Sequence, residues 1–271
     1  MSSPLSIPHS GNIVRTPLAN GLTVLVRENH ATAVVVLEGS LRTGGMDDPA
    51  AKTGLSSMTA NMLSRGTVNH DFGAWNEIIE AVGGNLTITS DSDSVNVGIA
   101  CLREDFPTLV NLLADALRRP AFPKAQFDLL RRQKLVRLQE RDQDPTAVAN
   151  IRFFETLYGG HPYGKPSSGY PETVRTITLD DVRWFHGQRY SPQGAVFAIA
   201  GDVDAAEATA LIEATFGDWH GGAPQTNLPP VPDFAGPVRA DIVMADQVQS
   251  EILPGALAVP RTHPDFEAIR V

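Results

Sequence analysis

A chain of 271 residues with 42% apolar content can form one large or two ordinary globular domains, and such a core needs no disulfide or metal to hold it. With 31 acidic against 22 basic side chains, a net charge of −9, neither nucleic acid nor an anionic membrane surface is expected as a partner. Cys101 is the single cysteine, which excludes an internal disulfide and a cysteine-built metal cluster and leaves it a small apolar strand residue.

The first ten residues have neither a basic n-region nor an apolar h-region, so they do not read as a secretory signal. The chain is expected in the cytoplasm, or in the periplasm if a signal peptide has been removed. The longest apolar runs, such as residues 33–37, fall far short of the roughly 20 residues that span a bilayer, so no membrane partner is expected.

Residues 13–16 and 22–28 flank Asn20-Gly21 and read as a hairpin. The β-branched run 34–41 continues the sheet, and the loop through Gly44-Gly45 and Asp47-Asp48-Pro49 leads into a helix over 54–67. A second helix, 72–82, carries Phe72, Trp75, Ile79 and Val82 at helical spacing and ends at Gly83-Gly84. Strands are expected at 86–89 and 95–101 around a solvated tip, 91–94; Asp91 and Asp93 lack the glycine and glutamate of an EF-hand. Helices follow over 106–117, 123–141, 145–158, 180–190 and 205–216, with a buried strand at 196–200. Runs of strands and helices predict an α+β fold, a layered domain whose mostly antiparallel sheet is covered by helices.

From His220 to Pro237 the chain is rich in glycine and proline and loses periodicity. This divides it into a domain over 1–219, a linker over 220–237, and the opening of another domain over 238–271, with strands at 240–245 and 250–259 and a helix starting at Pro264.

The segment Gly54 to Thr67, GLSSMTANMLSRGT, organises the functional reading. Leu55, Met58 and Met62 form an apolar face, while Ser57 and Asn61 share a neighbouring face one turn apart. It resembles the metal helix of the insulinase/pitrilysin family of inverted zinc metallopeptidases, roughly G-L-A-H-F-L-E-H-M-L-F-K-G-T around H-x-x-E-H. Gly54, Leu55, Met62, Leu63, Gly66 and Thr67 are kept. HPYG at 161–164, Tyr190-Ser191-Pro192 and Gly201-Asp202-Val203 extend the resemblance as weaker motifs.

Under that resemblance Ser57 takes the place of the first zinc histidine, Ala60 that of the general-base glutamate and Asn61 that of the second histidine. A serine hydroxyl and an asparagine amide do not replace imidazole and carboxylate ligands at about 2.0 to 2.2 Å, so no zinc cofactor is expected here, only in a catalytic partner. The third ligand in catalytic relatives is a glutamate about 76 residues beyond the second histidine, which counts to Arg137. Arg137 would then fill the metal's space and donate to Ser57 and Asn61. Glu140 lies three residues on, and Lys134, Arg137 and Arg141 share one basic helix face, otherwise solvated surface. The seven histidines offer no pair at i, i+3 or i+4, and His161 reads as a structural turn residue. No G-x-S-x-G elbow or Walker loop is found.

Catalytic relatives hold peptide as an added strand along an edge strand that here corresponds to Leu86, Thr87, Ile88 and Thr89, with Thr87 in place of the usual asparagine. The resemblance thus implies a catalytically inactive homologue, the non-catalytic subunit that completes the substrate chamber of a two-chain metallopeptidase. Its partner would be a homologue carrying H-x-x-E-H, or a second copy of the chain, with peptide as a further ligand. The alternatives are a structural or peptide-binding subunit of a larger complex, and an enzyme with a site of another kind.

Overall fold

The computed structural model describes residues 10–221, 228–233, 236–245 and 250–269. The β-rich runs form six strands: β1 (Val14–Pro17), β2 (Thr23–Glu28), β3 (Val34–Leu41), β4 (Asn85–Ser90), β5 (Val95–Leu102) and β6 (Val196–Gly201). They make one sheet in the order β1-β2-β6-β3-β5-β4, antiparallel at every junction except β2 with β6. Alternation along each strand sets its facing: Val35, Leu37 and Leu41 of β3 are fully buried while Glu38 is exposed, and Phe197 and Ile199 of β6 are buried between Val196 and Ala200.

The helices are α1 (Leu55–Leu63), α2 (Phe72–Ala81), α3 (Phe106–Arg118), α4 (Lys124–Arg141), α5 (Pro145–Tyr158), α6 (Pro171–Thr176), α7 (Leu179–Arg189), α8 (Ala205–Phe216) and the single turn α9 (Phe266–Ile269). Against the sheet α1 packs on β4, α3 on β5 and α8 on β2, while α1 also meets α4 and α7. The fold is the expected α+β class, a mostly antiparallel sheet with helices packed against it.

Local chemistry sets the starts of these helices. Asp71 accepts from the Ala74 amide, Asp144 from Thr146, and Asp204 from both Ala206 and Glu207. Thr178 and Asp181 form a reciprocal capping box at α7.

Two expectations need correction and a third is refined. The turn at 91–94 keeps Asp91 and Asp93 exposed, as expected of a solvated tip, but is also tied down, because Gly45 and Met46 donate their amides to the Asp91 and Ser92 carbonyls at 2.8 and 2.9 Å. The strands expected at 240–245 and 250–259 are not formed among the described residues: a strand pattern needs a paired edge, and these segments pair with neither edge strand, β1 or β4. Gly255 instead lies against the Phe153 ring of α5. The helix begun at Pro264 is confined to α9. Much of the expected linker, residues 222–227 with 234 and 235, falls outside the described residues.

Candidate functional site

The segment before α1 folds back on the helix it precedes. Gly54 adopts φ 98° at the start of α1, where a side chain would strike the Ser168 carbonyl at 2.9 Å. Gly54 has no side chain to cap the helix, and Asp48 supplies the cap from six residues upstream. One carboxylate oxygen accepts from the Gly54 and Leu55 amides at 2.6 and 3.1 Å, and the other from Ser56 at 2.7 Å. Burial nevertheless pushes Asp48 up to about 7, against the lowering pull of those three amides and of Lys134.

The face of α1 that would carry a zinc triplet holds other chemistry. Ala60 is fully buried in the core. Asn61 is exposed and turns its amide back to donate to the Ser57 carbonyl at 2.6 Å, within its own helix. Ser57 is partly buried, and its hydroxyl accepts a 2.7 Å hydrogen bond from Lys134 Nζ of α4.

Arg137 is therefore not the cation at this site. It is exposed and makes no hydrogen bond to Ser57 or Asn61, against the expectation that it donates to both; Lys134, one helical turn earlier, does so to Ser57. Phe127, Leu130 and Leu138 are the buried residues of α4, and Lys134, four residues from both Leu130 and Leu138, lies between them on that face. Burial holds Lys134 down to about 8; Asp48 opposes the shift, and Arg137 and Arg141 reinforce it. Nor is Arg141 simply solvated surface: it donates to Ser168 Oγ at 2.9 Å and to the Gly169 carbonyl at 2.8 Å, joining α4 to the loop before α6. Glu140 is exposed.

β4, which contains Leu86, Thr87, Ile88 and Thr89, is the last strand of the sheet, so one side of its backbone has no strand partner. Leu86 and Ile88 point into the core, while Thr87 and Thr89 are exposed. α1 packs on β4, and Ser56 Oγ meets Ser90 Oγ at 2.5 Å, which fixes the strand's end beside the first turn of the helix.

The other histidines are absorbed structurally where they are buried. His161 accepts from the Tyr163 amide at 3.1 Å through Nδ1, and His186 Nε2 donates to the Leu117 carbonyl at 2.9 Å. Among the described residues no three His, Cys, Asp or Glu side chains are grouped to hold a metal ion. The Ser57 face does not fit zinc: it offers a hydroxyl already bonded to an ammonium and an amide engaged with its own helix, and the ammonium repels a dication.

The family described as insulinase, peptidase family M16, matches residues 23–169, more than half of the chain. The chain belongs to this family. The description "peptidase M16 inactive domain" matches residues 176–271. The junction between the two matches falls inside the folded body, since β6 from the second lies between β2 and β3 of the first. An uncharacterized zinc protease of Mycobacterium leprae is 29% identical over 208 residues, 77% of this chain and 47% of that protein. A probable mitochondrial-processing peptidase subunit beta of Schizosaccharomyces pombe is 25% identical over 79% of this chain and 47% of its own length. A non-peptidase homolog of Helicobacter pylori is 21% identical over 66% of this chain and 42% of its length. Among solved structures, the peptidase M16 inactive domain of Pseudomonas fluorescens shares the fold with a TM-score of 0.76 and 24% identity, over 82% of this chain and 54% of that one. The chain thus spans about half the length of the curated relatives it matches. The inactive-domain description covers the part of the chain after α6 begins, and a non-peptidase homolog stands among the relatives of this M16 family member.

Proposed function

We propose that the chain is the non-catalytic subunit of a two-chain M16 metallopeptidase and completes the chamber in which a zinc-bearing partner cleaves peptide. The observation that carries this reading is the Lys134 to Ser57 hydrogen bond of 2.7 Å, which fills the degenerate metal face with an ammonium while the framework of α1, α4 and β4 around it is kept. A chain under pressure only to fold has no need to keep an open strand edge beside that helix. The relative named as a processing-peptidase subunit supports an arrangement in which a family member works beside another chain.

The test is reconstitution with the family member of the same organism that carries an intact H-x-x-E-H. Each chain is purified alone, then mixed, and hydrolysis of an unstructured peptide is followed with zinc present. The mixture is expected to form a complex and to cleave at least tenfold faster than the zinc-bearing chain by itself. Equal rates with and without this chain, and no association by light scattering, would remove the subunit reading.

The unpartnered edge of β4 supports a second reading, a peptide-binding subunit that holds an extended segment by main-chain hydrogen bonds. It predicts that outward-facing β4 amides, which exchange rapidly with deuterium in the free chain, become protected when peptide is added without any zinc-bearing partner.

A further inference from the structure

The contact between Ser57 and Lys134 has the geometry of a nucleophile and its base. We propose that Ser57 and Lys134 form a pair that accepts acyl groups from activated esters, with Ser57 Oγ as nucleophile and Lys134 Nζ as general base. This goes beyond the subunit reading and does not depend on a partner chain.

Three features of the site converge. Lys134 Nζ lies 2.7 Å from Ser57 Oγ, within the reach a base needs to take the hydroxyl proton. The ammonium is partly withdrawn from water by α4 and α1 packing, and its pKa is held down to about 8. A usable fraction of neutral amine, about one tenth, is then present at neutral pH. The charged groups acting on it are Asp48 from the loop before α1 and Arg137 and Arg141 from its own helix, and the two arginines favour the neutral form.

A donor for the developing oxyanion is also in place. The first backbone bond within α1 runs from the Met58 amide to the Gly54 carbonyl at 2.9 Å, so the four amides before Met58 are the orphan donors of the helix end. Asp48 accepts from those of Gly54, Leu55 and Ser56. The Ser57 amide is the donor next to its own hydroxyl. The acyl group would reach it along β4, whose end is held beside this turn by the Ser56 to Ser90 contact.

The step balances without a redox partner. Ser57 Oγ attacks the ester carbonyl carbon while its proton passes to Lys134 Nζ; the carbonyl–oxygen bond to the alcohol then breaks, and the alcohol leaves with that proton. Water, the co-reactant, later attacks the acyl-serine, gives a proton to Lys134, and releases the carboxylic acid as Ser57 regains its hydrogen. One backbone donor is a weak oxyanion site, so activated esters and not amides are the substrate class.

The test uses the whole chain with p-nitrophenyl acetate, reading nitrophenol release by stopped flow and the acetylated residue by peptide mass spectrometry. Wild type is expected to give a burst of about one equivalent, with acetyl on Ser57 and a burst rate that rises with an apparent pKa near 8. Ser57→Ala should abolish the burst. Lys134→Arg is the decisive variant, because it keeps a donor and a charge at the site but takes up no proton from serine. It should fold, lose the pH dependence and slow the burst about 100-fold. Ser64→Ala, two turns on at the C-terminal end of α1, should react as wild type. Acetylation confined to lysines, or a Lys134→Arg chain that reacts like wild type, would overturn the proposal and leave the contact a structural tether. Neither outcome bears on the reconstitution with a zinc-bearing partner, which reads peptide cleavage by that partner.

Discussion

Asp48 and Lys134 act on each other across the first turn of α1, one capping its amides and the other bonded to its Ser57 hydroxyl, and burial moves the pKa of each toward its neutral form. The acid rises from 3.8 to about 7 and the amine falls from 10.5 to about 8. Between about pH 4 and 7 the folded chain therefore holds a proton on Asp48 that the unfolded chain has released, and this contribution to stability declines as pH rises. Between about pH 8 and 10.5 the unfolded chain holds the extra proton, on Lys134, and stability recovers as pH rises. Urea unfolding of wild type minus Asp48→Asn should show the first slope in the difference, and wild type minus Lys134→Met the second. Differences that are flat through both windows would show that the two groups are not buried in this way. Asp48→Ala should in addition lose about 1 to 2 kcal/mol for the missing cap.

The one-turn shift from Arg137 to Lys134 makes a direct prediction about metal. If α1 and α4 keep the framework of a metal site, histidines at positions 57 and 61 need their carboxylate at position 134. Ser57→His, Asn61→His and Lys134→Glu combined should bind one zinc per chain by metal analysis after dialysis. The same pair of histidines combined with Arg137→Glu should bind far less, since residue 137 is exposed and makes no bond to Ser57 or Asn61, whereas residue 134 reaches Ser57. Ala60 is left unchanged because it is fully buried, and an uncompensated carboxylate there would be costly. Wild type itself should carry no zinc. Equal zinc in both combinations would mean that the packing of α4 does not select the ligand.

Most of the framework was legible in the chain, for identifiable reasons. The Asn20-Gly21 turn, the alternation in 34–41 and 95–101, and the stops at Gly83 and Gly217 are local signals, and the strands and helices they imply are those observed. Sequence order could not disclose that β6 enters the middle of the sheet, because that placement is decided by long-range pairing with Val35 to Ser40 on one side and Thr23 to Glu28 on the other. At the site the helical face was legible and the position along it was not. Counting residues leads to Arg137, whereas the side chain that reaches α1 is Lys134, one turn earlier on the same basic face. Asp48 was passed over as a loop residue; its role depends on the left-handed turn at Gly54 that brings the helix end back over it.

A second buried carboxylate holds the loop after α1. Asp115 of α3 has a side chain only 5% exposed and accepts from Thr67 Oγ1 at 3.2 Å, from Asn69 Nδ2 at 2.7 and 2.9 Å, and from Arg119 at 2.6 Å. Its removal takes an acceptor from three donors: Asn69 and Arg119 are exposed and turn to water, whereas the buried Thr67 hydroxyl keeps only a long 3.5 Å bond to the His70 carbonyl. Asp115→Ala should destabilise the chain by about 3 kcal/mol, and Asp115→Asn by less, because the amide oxygen still accepts while its nitrogen faces other donors. Equilibrium unfolding measures both. A loss under about 0.5 kcal/mol for the alanine variant would place this carboxylate among exposed residues rather than buried ones.

The last prediction concerns where the folded unit closes. The two family matches meet between residues 169 and 176, yet β6 pairs with both β2 and β3, and α8 packs on β2 and α3. Without β6, the β1–β2 hairpin has no contact with the remaining sheet, and the fully buried Leu22 and Val24 lose the layer that covers them. A chain cut after residue 175 should therefore fail to fold, giving no cooperative thermal transition and binding a hydrophobic dye. A chain cut after residue 221 keeps all six strands and Phe216 and Trp219 in the core, and loses only a segment that forms no strand among its described residues. It should melt cooperatively within a few degrees of the full chain. Cooperative folding of the shorter piece would show that β6 is an addition to a sheet already complete, and a large loss in the longer one would assign the tail a structural role larger than its approaches of Gly255 to Phe153 and Pro232 to Gly159 suggest.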